Sequence, residues 1–360
     1  MKKSTLIRKT RAYVVKAPLI YPFRTALGQH DYLENVYVEL KLNDGTRGFG
    51  EAAIAPHITG ESVAKTLKNI EEAGDALIGQ DASEYLRLSC DLNERLSDNK
   101  SAIAALEMGM LDAVCKQKKI PLWKFFGRSA RRVVTDITIV ISSLEETQRA
   151  ARQFVRQGFR AFKVKIGRDQ ELDYQRILAV QRIAPHARIY IDANQGYTAQ
   201  ETLRLLRSLK GVGVVPALIE QPVPKADFEG LQEVSRQAGI LVCADESASS
   251  LADVKKIIRH RAAGAINIKL MKFGIFRAQE VYSLARNNGV KLMMGAMMET
   301  SLGIAAAAHF ASGLGGIDYI DLDCPFFIKK GWERNPYVSA NGVYDLKKCR
   351  SGIGINPKRA

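Results

Sequence analysis

The sequence predicts an α/β fold, a barrel of parallel strands with a separate α+β segment before it. Three observations predict it. From residue 133 onward, β-rich runs alternate with amphipathic stretches, the pattern of βαβ units and a parallel sheet. There are eight such runs, at 133–141, 161–166, 188–191, 217–219, 241–243, 265–268, 291–294 and 317–320. Eight suit a barrel of about 200 residues. The first run leads into Ile141-Ser142-Ser143-Leu144. A doubly wound sheet, the alternative, would want a Gly-rich turn there.

The first ~125 residues read differently. Residues 11–17 and 33–42 have strand character, and Asn43-Asp44-Gly45 is a hairpin turn leading to 48–53. Helical stretches follow at 62–76, 83–96 and 102–117. The last is alanine-rich and carries Ile103, Leu106, Met110 and Val114 at helical spacing. After Asp323 the chain has Gly, Pro and a hairpin-like stretch at 338–344. This tail is expected to pack back on the N-terminal part.

Composition sets the class. The chain has 360 residues, 46% hydrophobic and 25% charged, which is ordinary for a globular protein. No stretch approaches ~18 consecutive apolar residues, so no membrane span is expected. The N-terminus lacks an apolar signal region. Five cysteines (Cys90, Cys115, Cys243, Cys324, Cys349) are widely spaced and never form CxxC. They read as small buried hydrophobes in a reducing, cytoplasmic protein. The net charge is +15. That invites a nucleic-acid or membrane-surface reading, but no DNA-reading motif, arginine-rich arm or low-complexity tract accompanies it. The excess lies partly in the last residues and in Arg128, Arg131 and Arg132, and reads as solvated surface.

The chemistry lies where the strands end. Run two ends in Lys163-Val164-Lys165, run three in Asp192-Ala193-Asn194, run four in Glu220-Gln221-Pro222, run five in Asp245-Glu246 and run six in Lys269. In a barrel these positions share one mouth, where active sites sit. Asp192, Glu220 and Asp245 make a hard, oxygen-rich site suited to one Mg²⁺, and no His or Cys argues for zinc. Lys165 and Lys269 flank the carboxylates and would face each other across the cavity. Such a site suits proton abstraction next to a substrate carboxylate. One Lys removes the α-proton, the metal stabilises the enediolate, and the other Lys returns a proton to the opposite face. Lys163 points inward with Lys165 and is expected to lower the pKa of Lys165 as a neighbouring cation.

These residues, with Gln195-Gly196, Ala244, Ser247 and Asn267-Ile268-Lys269-Leu270, resemble the muconate-lactonizing subgroup of the enolase superfamily. The resemblance covers most of the chain. It implies a (β/α)₇β TIM-like barrel at 126–323, capped by an α+β domain from residues 1–125 and the returning segment 324–360. It implies Mg²⁺ on Asp192, Glu220 and Asp245, with Lys165 and Lys269 as the acid/base pair. Run eight ends in Asp321-Leu322-Asp323, with both carboxylates on one side. This pair resembles the feature with which dipeptide epimerases of the subgroup bind a substrate α-ammonium. Arg24, in the loop 21–26, resembles the residue that pairs with a Glu side chain in Ala–Glu epimerases. Met298 is expected to line the substrate pocket, and His57 to approach the mouth.

The expectation is an isomerase that epimerises the C-terminal residue of an Ala–Glu-like dipeptide in murein peptide turnover. It would act as a homo-oligomer without nucleic-acid or membrane partners. An N-acylamino-acid racemase, o-succinylbenzoate synthase or cycloisomerase on the same barrel is the alternative. Substrates of those enzymes lack the ammonium that Asp321 and Asp323 would bind. The subgroup commonly has Gly-Gly where this chain has Gly274-Ile275.

Overall fold

The computed structural model describes residues 5–127, 129–167, 169–330, 332 and 335–357, without the side chain of His57. The expectation for His57 and part of the basic surface (Arg128, Arg334, Lys358, Arg359) therefore lie outside the described residues.

The N-terminal sheet has the order β1 (Ile7–Thr25), β2 (Gly28–Leu42), β3 (Arg47–Ala52), and is antiparallel throughout. The Asn-Asp-Gly turn joins β2 to β3, as its residue types require. The first hairpin is longer than the sequence reading had it. Its strands run past residues 17 and 33 into a two-stranded arm, with a register shift between Pro18 and Phe23. Three helices cover one face: α1 (Val63–Leu77), α2 (Tyr85–Arg95) and α3 (Lys100–Gln117). Helix α3 is buried almost all round, which explains its alanine content. Strand β3 crosses it so closely that Cβ atoms at Gly48 and Gly50 would collide with the backbone of Gly109 and Ala105.

The second sheet has eight parallel strands in sequence order: β4 (Ile137–Ile139), β5 (Ala161–Lys165), β6 (Arg188–Asp192), β7 (Leu218–Glu220), β8 (Leu241–Ala244), β9 (Ala265–Ile268), β10 (Lys291–Met294) and β11 (Tyr319–Ile320). The sheet curls until its ends meet. Asp136 N–H donates to the Ile320 carbonyl, and Leu322 N–H to Thr135 Oγ1. Between the strands lie α4 (Leu144–Gln157), α5 (Gln170–Ile183), α6 (Ala199–Gly211), α7 (Phe228–Gln237), α8 (Leu251–His260), α9 (Ile275–Asn287) and α10 (Ser301–Leu314). This is the (β/α)₇β order. The first predicted run is split. Val133–Val134 leaves the barrel to pair with Val343–Tyr344, because Thr135 and Asp136 turn the chain inward to close the sheet.

Apolar side chains fill the barrel floor, among them Ala161, Tyr190, Leu218, Cys243, Ala265 and Met293. The tail returns to the first domain. Gly352 exchanges backbone bonds with Ile120 and Leu122, and Ile328 bridges Leu19. Among the described residues, no helix is long and apolar enough to cross a membrane.

Buried carboxylates seat the cap on the barrel. Glu51 of β3 accepts from Thr300 N–H, Gly303 N–H and the Thr300 hydroxyl, at the N-terminus of α10. Glu107 of α3 accepts from Ile275 and Phe276 N–H at the N-terminus of α9, and from Ser89. Helix N-termini present unpaired N–H groups and partial positive charge, which an acid from a neighbouring element satisfies. The same contact settles the Gly274-Ile275 departure. Gly274 takes φ 75°, whereas Ile275 begins the helix and hands its N–H to Glu107.

Removing Glu107 should leave two buried N–H groups unpaired. Glu107→Ala is expected to lower the unfolding free energy by about 1–3 kcal/mol, read by urea denaturation. Burial pushes the Glu107 carboxyl from 4.5 up to about 7, against its three donors. A raised carboxyl keeps its proton in the folded state where the unfolded chain has lost it. Its contribution is therefore full below about pH 4.5 and fades as pH rises to about 7. The stability difference between wild type and Glu107→Gln should shrink across that window, and a pH-independent difference would contradict the assignment.

Candidate active site

The strand ends of β5 to β9 place their ionisable groups in one ring, because parallel strands in register bring successive C-termini side by side. Lys165 pairs in register with Asp192, and Asp192 with Glu220. Asp192, Glu220 and Asp245 are fully buried. Each is held by a lysine. Lys165 Nζ donates to Asp192 Oδ2 at 2.6 Å, and Lys269 Nζ to Asp245 Oδ2 at 2.6 Å. Lys163 Nζ lies 2.6 Å from Glu220 Oε2 and 2.6 Å from Asp321 Oδ2, with Asp192 Oδ2 at 3.6 Å.

The three lysines differ in access. Lys165 and Lys269 are 8% and 6% exposed and line one cavity, while Lys163 is 1% exposed beneath it. Strands β5 and β9 are four places apart in an eight-stranded ring, so Lys165 and Lys269 approach the cavity from opposite sides. The sequence reading has Lys163 as a neighbouring cation of Lys165; in the structure its ammonium is paired with buried acids. Burial would lower its pKa, but Asp321, Glu220, Asp192 and Asp136 outweigh burial and raise it well above the ordinary value. Its charge is committed to the acids around it.

The cavity has an empty volume of about 790 Å³, part of it open to solvent. Asp321 and Asp323 line one end with Thr138, whose N–H donates to Asp323 Oδ2 at 2.6 Å. Met297, Met298 and Ala296 form one wall. Phe23, Thr25, Leu27, Ile54 and Ile58 descend from the cap, with Gly28 and His30 among them. Met298 is held from the cap, its carbonyl accepting from Asn35 Nδ2.

Arg24 stands apart from the other expected residues. Alternation along β1 turns Phe23 and Thr25 to the cavity and Arg24 to the other face. Its Nε donates to Gln29 Oε1 at 2.8 Å, and it lines a separate groove with Tyr21, Ser142, Glu146 and Arg149. The sequence reading expects Arg24 to pair with a substrate side chain; here it faces the separate groove and not the cavity. A local strand period was enough to foresee this, had 18–25 been read as strand.

The sequence reading also passed over supporting residues. Lys272 Nζ donates to Asp245 Oδ1 and to the Asp245 and Asn267 carbonyls, so two lysines hold one aspartate. Its signal was the three-residue spacing from Lys269. Asn267 Nδ2 steadies Glu220 Oε1 at 2.7 Å. Glu246 is buried beside Asp245, and burial together with that neighbour pushes it up to about 8. Asp136 was not singled out at all. One of its oxygens lies within 4.8 Å of an oxygen of Asp321 and of one of Asp323.

The donor set around Asp192, Glu220 and Asp245 fits a hard divalent cation. All three offer carboxylate oxygen, and Glu220 Oε2 accepts no aligned hydrogen bond despite its closeness to Lys163.

Comparison with known proteins agrees with this geometry. Residues 8–127 match the mandelate racemase / muconate lactonizing enzyme N-terminal domain, and 146–360 the enolase C-terminal domain-like family. A hydrophobic dipeptide epimerase of Citrifermentans bemidjiense is 45% identical over 98% of both chains. An L-Ala-D/L-Glu epimerase of Bacillus subtilis is 35% identical over 95% of this chain and 94% of its own. The structure of a dipeptide epimerase from Enterococcus faecalis, in complex with Mg and L-Leu-L-Tyr, superposes with TM-score 0.91 at 30% identity, over 97% of this chain and 99% of that one. With its cap, its (β/α)₇β barrel and its ring of strand-end lysines and carboxylates, the chain belongs to the mandelate racemase / muconate lactonizing enzyme family of the enolase superfamily.

Proposed function

We propose that the protein is a dipeptide epimerase, an isomerase that inverts the α-carbon of the C-terminal residue of its substrate. The observation that carries this reading is the placement of Asp321 and Asp323 in the same cavity as Lys165 and Lys269. A dipeptide has an ammonium at one end and a carboxylate at the other. The aspartate pair supplies charge-assisted acceptors for the ammonium. The carboxylate then lies toward Asp192, Glu220 and Asp245.

Those three residues would hold a Mg²⁺, one per site, which supplies positive charge for the negative charge that develops on the substrate carboxylate as the α-proton leaves. Lys165 and Lys269 face the α-carbon from opposite sides. One takes the proton and the other delivers one to the opposite face, so the centre inverts. Burial of both lysines excludes competing water, and their carboxylate partners fix the direction of each Nζ. Lys163 serves as support, tying Asp321 to Glu220.

Most side chains that descend from the cap are apolar (Phe23, Leu27, Ile54, Ile58), with Thr25 and His30 the polar ones, and Arg24 is not among the cavity's lining residues. This favours apolar or aromatic dipeptides over acidic ones, in keeping with the name of the Citrifermentans relative.

In ²H₂O, the enzyme with Mg²⁺ should place deuterium at the C-terminal α-carbon of a dipeptide and convert L,L to L,D. No exchange with any member of a dipeptide library would refute the reading. Lys165→Ala and Lys269→Ala should each lose epimerisation by at least about 10³-fold, while retaining exchange of opposite substrate epimers. Arg24→Ala should leave kcat/KM for an apolar dipeptide within about twofold, since the residue is removed from the cavity. Burial, then Asp321, pushes the Asp323 carboxyl up to about 7. Ammonium binding needs the ionised form, so KM should fall as pH rises through about 7, and Asp323→Asn should abolish that dependence.

A further inference from the structure

Asp136 lies inside the barrel, 1% exposed, at the seam where the sheet closes. Neither of its carboxylate oxygens has a hydrogen-bond partner among the described donors. It is not among the residues lining the substrate cavity, whereas Asp321 and Asp323, within 4.8 Å of it, are. The charged and titratable groups that face it are Asp321 and Asp323 beyond β11, Lys163 on β5, Glu220 on β7 and the Tyr190 hydroxyl on β6.

Lys163 is the cation of this group, and it is already shared between Asp321 and Glu220 at 2.6 Å each. An ionised Asp136 would be a third buried negative charge at the ammonium-binding end, with no hydrogen bond to it. Desolvated charge without a partner is strongly unfavourable. A neutral carboxyl removes that difficulty, because it has one O–H to donate and two aspartates beside it able to accept.

We propose that Asp136 is a positioning residue that keeps its proton and donates it to Asp321, holding that carboxylate from beneath while Lys163 holds it from the side. Burial, then the charge of Asp321, acts in the same direction, pushing Asp136 well above the ordinary carboxylate range. The consequence for binding rests on the dipeptide reading. With Asp136 neutral, Asp321 and Asp323 are the two carboxylates left to meet the incoming ammonium, and Lys163, shared with Glu220, has one acid fewer to offset.

Infrared difference spectroscopy of the Mg²⁺-loaded enzyme tests this directly. At pH 7 to 8, wild type minus Asp136→Asn should show the carbonyl stretch of a protonated carboxylic acid, shifted in ²H₂O. Its absence would overturn the proposal. Asp136→Asn retains an N–H donor and should keep KM and kcat within about threefold, whereas Asp136→Ala should raise KM about tenfold or more with a smaller change in kcat. An Asn variant as impaired as the Ala variant would overturn the proposal by requiring the charge. So would metal analysis showing a second divalent ion in wild type that Asp136→Asn lacks, since the three aspartates would then be a cation site. If Asp136→Ala does not fold, the infrared band and the Asn variant decide. A band found in an enzyme that turns over no dipeptide supports the proton on Asp136 and refutes the dipeptide reading alone.

Discussion

The structure depends on matching charge inside a barrel where little of it meets solvent. Asp136, Asp192, Glu220, Asp245, Asp321 and Asp323 all lie within the barrel or at its mouth, at most 9% exposed. Carboxylates so placed cannot stand alone. Lys163, Lys165, Lys269 and Lys272 are threaded among them, each within hydrogen-bond distance of at least one. Lys163 is the centre of this arrangement. It links Asp321, which lines the cavity, to the fully buried Glu220, so loss of one acid is felt by the other. In a buried network of this kind the members act together, so removing one charge is felt by the groups that share it.

The second dependence is the seating of the cap. Glu51 and Glu107 come from the first domain, and both are consumed at helix N-termini of the second. Asp112 adds a third link, accepting from Phe49 N–H and from Ile353 N–H of the returning tail. These contacts fix how the β1–β2 arm lies over the barrel mouth. Phe23, Thr25 and Leu27 reach the cavity because of that seating. The barrel thus supplies the ionisable groups of the cavity, while the cap supplies the side chains that close over it.

Much of this was legible in order along the chain. The alternation of β-rich and amphipathic stretches is local, and strand and helix periods differ enough to read it. The strand-end lysines and carboxylates were legible because a barrel converts position along the sequence into position around a ring. The orientation of Arg24 was not legible for the opposite reason. It depends on whether 18–25 is loop or strand, and the sequence reading has 21–26 as a loop. An edge arm tolerates both Pro18 and Pro22. The first predicted barrel run failed similarly, since pairing of Val133–Val134 with Val343–Tyr344 joins segments about 200 residues apart.

The sequence by itself determined the class of fold, the family's ring of ionisable groups and the chemistry they can perform. Each of these follows from residue type and spacing within one βα unit. Only the tertiary structure decided which of these groups are accessible and which are spent on one another. Lys163 and Lys165 are two residues apart on one strand, yet one is committed to buried acids and the other meets the cavity. Asp136 gave no local signal, because its meaning comes from Asp321 and Asp323 across the barrel seam. Burial and charge pairing are sums over neighbours distant in sequence, and only closure of the sheet brings those neighbours together.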